Sequence, residues 1–222
     1  STMTKRVYLL NGNSNESLTR HLAVLAEKHA PEFLIEPDTV AAAPRYIGDP
    51  VTVARAAAAI LDHAEQRFRQ SDCPAPDGVL LACFGAPGLG ALRASLDVPV
   101  VAMLDASVAT AIQLGRRFSI LTAGGNWPAQ ITDILALTGT LNRCSGCAAM
   151  RDEALDDDEA VWRPALQADL DSIHARYPSD VIIVGGALAA GRGAFLRPPP
   201  GVRLVDGFAA ALAQLGALMR LS

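Results

Sequence analysis

Short apolar runs alternate with longer stretches of helical spacing along the whole chain. Runs long enough for buried strands fall at 6–11, 33–36, 78–83, 99–104, 117–122, 181–185 and 202–205. Between them, apolar positions three and four residues apart predict helices at 16–29, 50–70, 88–95, 106–115, 128–138, 158–175 and 207–220. Strands that alternate with helices in this way form parallel sheets covered by helices. The pattern therefore predicts an α/β protein.

The second half of the chain repeats the first. A shift of 103 residues places Cys83 on Gly186, and two further segments match in the same order at shifts of 101 and 111. The matched segments are 77–88 with 180–191, 101–105 with 202–206, and 6–11 with 117–122. Matches that keep one order indicate an internal duplication. We therefore expect two pseudo-symmetric Rossmann-like lobes with parallel sheets.

The duplication sets the expected domain boundaries and the place of the site. Residues 1–109 and 206–222 are assigned to the first lobe, and residues 110–205 to an inserted second lobe. Ligands of open parallel sheets bind beyond the carboxyl ends of the strands. The loops after the strands are therefore the expected walls of an active site in the cleft between the lobes.

Composition and charge narrow the function classes. Half of the residues are apolar, and the 19 basic and 23 acidic side chains are spread along the chain, for a net charge of −4. No basic stripe for phosphate backbones is evident, which argues against nucleic acid as a partner. Apolar stretches are interrupted well before the ~20 residues of a membrane span, and the four cysteines are expected as reduced thiols. These features favour a cytoplasmic protein with no membrane contact.

A thiol at the end of a strand is the sharpest chemical feature. Residues 81–88 read Leu-Ala-Cys-Phe-Gly-Ala-Pro-Gly, so Cys83 comes after an apolar strand and precedes a Gly/Pro loop and a helix. Unpaired backbone amides in such a loop favour a thiolate, which can act as a base or a nucleophile. The alternative interpretation is that Cys83 is a small buried hydrophobe.

Polar residues lie after the first strand of each half. Asn11, Asn13 and Ser14 lie between the first strand and its helix, and Thr122 occupies the matching strand end in the second half. Amide and hydroxyl donors at the start of a helix can bind a carboxylate or a carbonyl oxygen. Ordinary capping of the helix explains the same residues. Their recurrence in both halves favours the contact with an oxyanion or carboxylate.

These motifs together resemble the hydantoin racemase branch of the aspartate/glutamate racemase superfamily. The resemblance rests on Asn-Gly-Asn-Ser at 11–14, Ala-Cys-Phe-Gly at 82–85, Val-Pro-Val-Val at 98–101 and Gly-Arg-Arg-Phe-Ser-Ile-Leu-Thr at 115–122. It implies two α/β lobes, one proton-transferring cysteine from each lobe, and no cofactor or metal. The implied substrate is a small carboxylate, amino acid or hydantoin. The implied contacts are Asn11, Asn13, Ser14, Phe84, Gly85, Thr122, Gly185, Gly186 and Ala187 around the catalytic Cys83.

One departure from the family pattern leaves several activities open. Gly186 stands where the family carries its second cysteine, and a glycine cannot transfer a proton. The leading hypothesis is a racemase-type isomerase acting next to a carboxylate or hydantoin carbonyl through Cys83. The alternatives are a single-cysteine decarboxylase of malonate-type acids, a cis–trans isomerase, a catalytically weakened ligand-binding homologue, or a racemase in which Gly186 is an engineered substitution for a cysteine. Family members often form dimers or larger assemblies, so a homo-oligomer is also open.

The remaining polar motifs carry weaker predictions. Cys144 and Cys147 lack a second Cys or His pair at zinc-site spacing, so no metal is expected there. The glycines near residue 88 do not form the Gly-x-Gly-x-x-Gly pattern of dinucleotide sites. All of the histidines fall on predicted helices among polar neighbours, where a solvated surface is expected: His21, His29, His63 and His174.

Overall fold

The computed structural model describes residues 3–222, and within them it has the predicted α/β architecture. Its eight described strands are β1 Arg6–Asn11, β2 Leu34–Thr39, β3 Gly78–Leu81, β4 Val100–Ala102, β5 Phe118–Thr122, β6 Cys144–Ala149, β7 Val181–Gly185 and β8 Arg203–Asp206. Its seven described α-helices are α1 Glu16–His29, α2 Pro50–Phe68, α3 Leu89–Ser95, α4 Met103–Leu114, α5 Trp127–Leu137, α6 Glu159–Arg176 and α7 Gly207–Leu221. Short 3-10 turns span Leu141–Arg143, Asp152–Leu155, Ala187–Ala189 and Arg192–Phe195.

The strands form two four-stranded parallel sheets with the same order. The first sheet runs β2-β1-β3-β4 and the second runs β6-β5-β7-β8. In the first sheet Leu10 pairs with Leu81, and in the second Leu121 pairs with Val184. Each sheet therefore repeats the order and direction of the other, as the internal matches in the sequence predicted.

The chain divides into two compact units. One unit contains the chain up to Met103 together with Ala211–Ser222, and the other is Leu104–Ala210. The sequence placed these borders at 109/110 and 205/206, a few residues away from the observed ones. Residues 1 and 2, which the sequence assigned to the first lobe, lie outside the described part of the chain.

Buried apolar strands form the core of each unit. Four consecutive residues of β1, from Val7 to Leu10, and all of β3 are buried because helices cover both faces of a parallel sheet. In the second unit, α6 packs Trp162, Leu166 and Leu170 against Ile182 and Val184 of β7 in one hydrophobic cluster. These cores hold the carboxyl ends of the central strands in fixed positions.

The strand β6 was not predicted. Its sequence, Cys-Ser-Gly-Cys-Ala-Ala, has none of the β-branched or aromatic residues that mark strands. It is an edge strand beside β5, and all of its residues are only partly buried. Cys144 and Cys147, whose spacing was weighed above against that of a zinc site, therefore lie within a sheet, and both are free thiols.

Candidate active site

Cys83 lies two residues beyond the end of β3. The strand continues for one more backbone hydrogen bond, from the Ala82 N–H to the Leu10 carbonyl at 2.9 Å. The chain then turns, and the Ala86 N–H donates to the Cys83 carbonyl at 3.1 Å. Cys83 is partly exposed at this turn, while Phe84 and Gly85 after it are buried. The thiol is therefore carried by a tight loop fixed to the middle of the first sheet.

Burial and backbone donors act in opposite directions on the Cys83 thiol. Burial raises the pKa of Cys83 from 9.0 to about 11, while hydrogen bonds from the backbone of Gly85 and Ala86 lower it. The amides that the sequence predicted at this turn therefore contact the sulfur, but burial has the larger effect. Near neutral pH the free protein holds Cys83 as the thiol, which is the proton-donating form.

The loop after Cys83 has a constrained backbone. Ala86 has a φ of 51°, and among the described residues it is the only one other than glycine with a positive φ. Two residues later Gly88 has a φ of 77°, and a Cβ on it would lie 3.1 Å from the Ala57 carbonyl oxygen of α2. Non-glycine residues in the left-handed region are uncommon and cluster at functional sites. Ala86 thus keeps a strained conformation that directs its N–H toward Cys83.

Asn11 holds the loop between β1 and α1 through hydrogen bonds of its buried side chain. Its side chain is fully buried, and its Nδ2, which has two N–H donors, lies 3.0 Å from each of three acceptors: the Asn13 Oδ1, the Asn15 carbonyl oxygen and the Thr19 Oγ1. Its Oδ1 accepts the Asn13 N–H at 3.3 Å. The amide that was predicted to contact substrate is therefore occupied with holding the loop and the start of α1.

Asn13 and Ser14, which follow Asn11 on this loop, are both partly buried. The Asn13 Oδ1 also accepts the Asn15 N–H at 2.9 Å, and the Ser14 N–H donates to the Pro44 carbonyl at 3.2 Å. Gly12 brings the loop to the thiol, because a Cβ on Gly12 would lie 3.4 Å from the Cβ of Cys83. The first unit thus brings together Cys83 and the polar loop that the sequence had singled out.

In the second unit, the other predicted residues lie at the carboxyl ends of the central strands β5 and β7. Thr122 is fully buried and its hydroxyl donates to the Ala123 carbonyl at 3.2 Å. Gly185 and Gly186 are buried, and Ala187 begins a 3-10 turn. Gly186 has a φ of 102°, and the Ala123 N–H donates to the Gly185 carbonyl at 3.1 Å. Thr122 and Gly186 are therefore neighbours within the second unit, and Thr122 is already hydrogen bonded there.

Sequence reasoning missed a polar network next to the Asn11 loop. His63, expected on a solvated surface, is partly buried and its Nε2 lies 2.8 Å from the Asp38 Oδ2. The Tyr8 hydroxyl donates to the same oxygen at 2.6 Å. The Thr39 N–H donates to the Asp38 Oδ1 at 2.9 Å, and the Thr39 hydroxyl lies 2.7 Å from that of Thr19. No motif marks these residues, because β2 and α2 bring them together only in the fold.

Other features lie apart from this site. In residues 3–222 no helix combines the length and apolar character that a membrane crossing requires. Within the same residues, no three Cys, His, Asp or Glu side chains are grouped as they would be around a metal ion. A surface cavity of about 510 Å³ is lined by residues of α6, by Phe195 and by Arg197, none of them a predicted site residue. The candidate site residues therefore remain those at the carboxyl ends of the central strands.

Comparison with known proteins identifies the family. A sequence profile described as Asp/Glu/Hydantoin racemase matches residues 7–215. A hydantoin racemase of Rhizobium meliloti is 27% identical over 217 residues, which are 96% of this chain and 88% of that protein. The structure of allantoin racemase from Pseudomonas fluorescens is 27% identical with a TM-score of 0.87, over 97% of this chain and 91% of that one. Allantoin racemase from Klebsiella pneumoniae is 24% identical, also with a TM-score of 0.87, over 98% and 88% of the two chains. The chain therefore belongs to the Asp/Glu/hydantoin racemase family, in its hydantoin racemase-like branch.

Proposed function

We propose that the protein is a cofactor-independent, racemase-type isomerase that moves a proton at the carbon next to a carboxylate or hydantoin carbonyl. The observation that carries the proposal is the Cys83 thiol, held beyond β3 with backbone N–H groups of Gly85 and Ala86 directed at it. A fixed acid or base beside a reacting carbon is what such proton transfer requires. The family assignment supplies the reaction class, and the relatives named above are racemases of hydantoin and allantoin.

Each part of the Cys83 site has a role in this proposal. Cys83 gives a proton to, or takes one from, the carbon next to the carbonyl. Asn13 and Ser14, on the loop that Gly12 brings against Cys83, contact the substrate oxygen that gains negative charge. Asn11 acts as a positioning residue, because its buried amide holds that loop. Charge stabilisation by fixed donors is often the largest single contribution to such reactions.

A second candidate function arises from Gly186. Inversion of configuration needs a proton-transferring group on each face of the carbon, and the position equivalent to Cys83 in the second unit has no side chain. A lyase that decarboxylates a malonate-type acid needs a single proton donor. The raised pKa of Cys83 suits that donor, because the thiol form is present at neutral pH.

The test is deuterium exchange at the α-carbon in deuterated water, with allantoin, 5-substituted hydantoins, amino acids and arylmalonates. We expect exchange or turnover that falls by about 10²–10⁴-fold in Cys83→Ala and Cys83→Ser, because general acid–base groups contribute that much. Cys73→Ala is the matched control, since Cys73 is another free thiol that bonds only to Gln70 near the surface.

The outcomes separate the candidates. Exchange with inversion supports the racemase, and carbon dioxide release or exchange with retention supports the single-thiol reaction. Turnover that Cys83→Ala leaves intact would contradict both.

A further inference from the structure

The two sheets share the same hydrogen-bonding pattern at their strand starts, which fixes the equivalent positions. The Asp77 N–H donates to the Arg6 carbonyl and the Asp77 carboxylate accepts the Arg6 N–H. The Asp180 N–H donates to the Arg117 carbonyl and the Asp180 carboxylate accepts the Arg117 N–H. Counting six residues onward from each of these anchors makes Cys83 equivalent to Gly186, and Gly12 equivalent to Ala123.

At these equivalent positions the two units have exchanged large and small residues. In the first unit, the side chain is on Cys83 and the facing residue is Gly12, where an added Cβ would lie 2.9 Å from the Ile60 Cδ1 and 3.4 Å from the Cys83 Cβ. In the second unit, the side chain is on Ala123, and a Cβ on Gly186 would lie only 2.7 Å from the Ala123 Cβ. That separation is far below ordinary van der Waals contact. In the first unit a glycine follows β1 and faces Cys83 after β3, whereas in the second unit Ala123 follows β5 and faces a glycine after β7.

The backbone shows the same exchange. Gly186 has a φ of 102°, a conformation that side chains strongly disfavour, whereas Cys83 is not among the described residues with a positive φ. Ala123 is 9% exposed and belongs to the hydrophobic cluster of the second unit, so it does not move aside freely. A single replacement of a cysteine by glycine at 186 does not explain an alanine that fills the place of its Cβ.

We propose that Ala123 and Gly186 form a matched pair that keeps the second unit without a side chain at the position equivalent to Cys83. The consequence is stereochemical and rests on the second candidate function, in which Cys83 is the single proton donor. Of the two equivalent positions, only 83 offers a group that can transfer a proton, so protonation of a planar carbanion occurs from one face. The native reaction is therefore α-exchange or protonation with one handedness, and Ala123 is the residue that excludes the second thiol.

The first experiment measures the thermal stability of variants at positions 123 and 186 and requires no activity assay. Gly186→Cys alone is expected to lower Tm by roughly 5–10 °C, because a clash and a disfavoured φ act together. Ala123→Gly with Gly186→Cys is expected to melt about 4 °C or more above Gly186→Cys, since the clash is removed and the φ strain remains. Gly186→Ala, with and without Ala123→Gly, repeats the cycle with no new thiol. If Gly186→Cys does not fold, soluble yield and the alanine cycle give the same comparison. Additive effects in the alanine cycle, or a Gly186→Cys protein that melts like the native one, would overturn the proposal.

The second experiment reads the stereochemical consequence. Chiral chromatography after exchange of a single enantiomer in deuterated water should show that the native protein exchanges without inversion. The double variant should gain inversion that Cys83→Ala abolishes. Inversion by the native protein at the rate of its exchange would refute the one-face inference, although it would support the proposed function. A native protein without any Cys83-dependent exchange would refute the proposed function, while the melting cycle would still decide whether the pair is matched.

Discussion

The first and second units share one sheet order but differ in the residues that lie beyond their central strands. After β1 and β3, the first unit has a buried amide, a polar loop and a thiol with backbone donors. After β5 and β7, the second unit has Ala123 and Ala189 inside a hydrophobic cluster and a glycine at the equivalent of the thiol. A duplicated scaffold thus retains its hydrogen-bonded frame, while one copy has a thiol beyond its central strand and the other has no side chain at the equivalent position.

The largest expected effect on stability compares Asn11 with Thr122, which occupy equivalent strand ends. Asn11→Ala should lower the free energy of unfolding by about 3 kcal/mol, because it removes the hydrogen bonds of a fully buried amide to Asn13, Asn15 and Thr19. Thr122→Val should cost less than about 1 kcal/mol, because within residues 3–222 the one hydrogen bond of the Thr122 hydroxyl is to the adjacent Ala123 carbonyl. Urea unfolding of both variants checks the difference. Equal losses would show that the two strand ends are not specialised as described.

The next effect depends on pH and on Cys83. In the unfolded chain the thiol titrates near its ordinary pKa of 9.0, whereas in the folded protein burial raises the pKa to about 11. The resulting stabilisation is complete below pH 9 and is lost as the pH rises toward 11. Between pH 8 and pH 11 the native protein should therefore lose about 2 kcal/mol more stability than Cys83→Ala. Parallel urea titrations measure this difference, because all other titrating groups are shared. Identical pH profiles would mean that the Cys83 pKa is not raised.

The smallest effect compares two alanines in equivalent loops. Ala86→Gly should raise the free energy of unfolding by up to about 1 kcal/mol, since glycine adopts the φ of 51° without strain. Ala187→Gly should lower it by up to about 1 kcal/mol, because Ala187 has no positive φ to relieve. Thermal unfolding distinguishes the two directions. If both variants are destabilised, the Ala86 conformation stores no strain.

Some of these features were readable from the sequence, and others depend on contacts between distant residues. The seven helices and the strong strands were predicted because their apolar spacing is local, and Cys83 was identified because a thiol ended one of those strands. The strand β6 was missed because its own residues carry no strand pattern. Its contacts come from a distant residue, since Arg117 donates to the Ser145 hydroxyl and to the Cys144 carbonyl. The internal repeat offered a signal, since β2 begins 28 residues after β1 and a similar interval after β5 leads to β6.

The features of the site that the sequence did not predict also depend on contacts between distant residues. The burial of Asn11 depends on α1 and β2 packing over it, and no local pattern reports that packing. The bond between His63 and Asp38 joins residues 25 positions apart. The sign of the Cys83 pKa shift depends on a balance between burial and backbone donors, and only the second of these was evident from the sequence.

The hydrogen-bonded Asn11 loop has a consequence for how this protein can acquire new substrates. Asn11, Asn13, Asn15 and Thr19 hold one another, and Thr39 extends the chain of contacts to Asp38 and His63. Substitutions at these positions should be strongly epistatic, because each one removes a partner on which the others depend. A library that randomises them singly would consist mainly of misfolded variants. Diversity placed at Ser14, which is on the same loop but is not one of these hydrogen-bonded side chains, offers the shorter mutational route to altered selectivity.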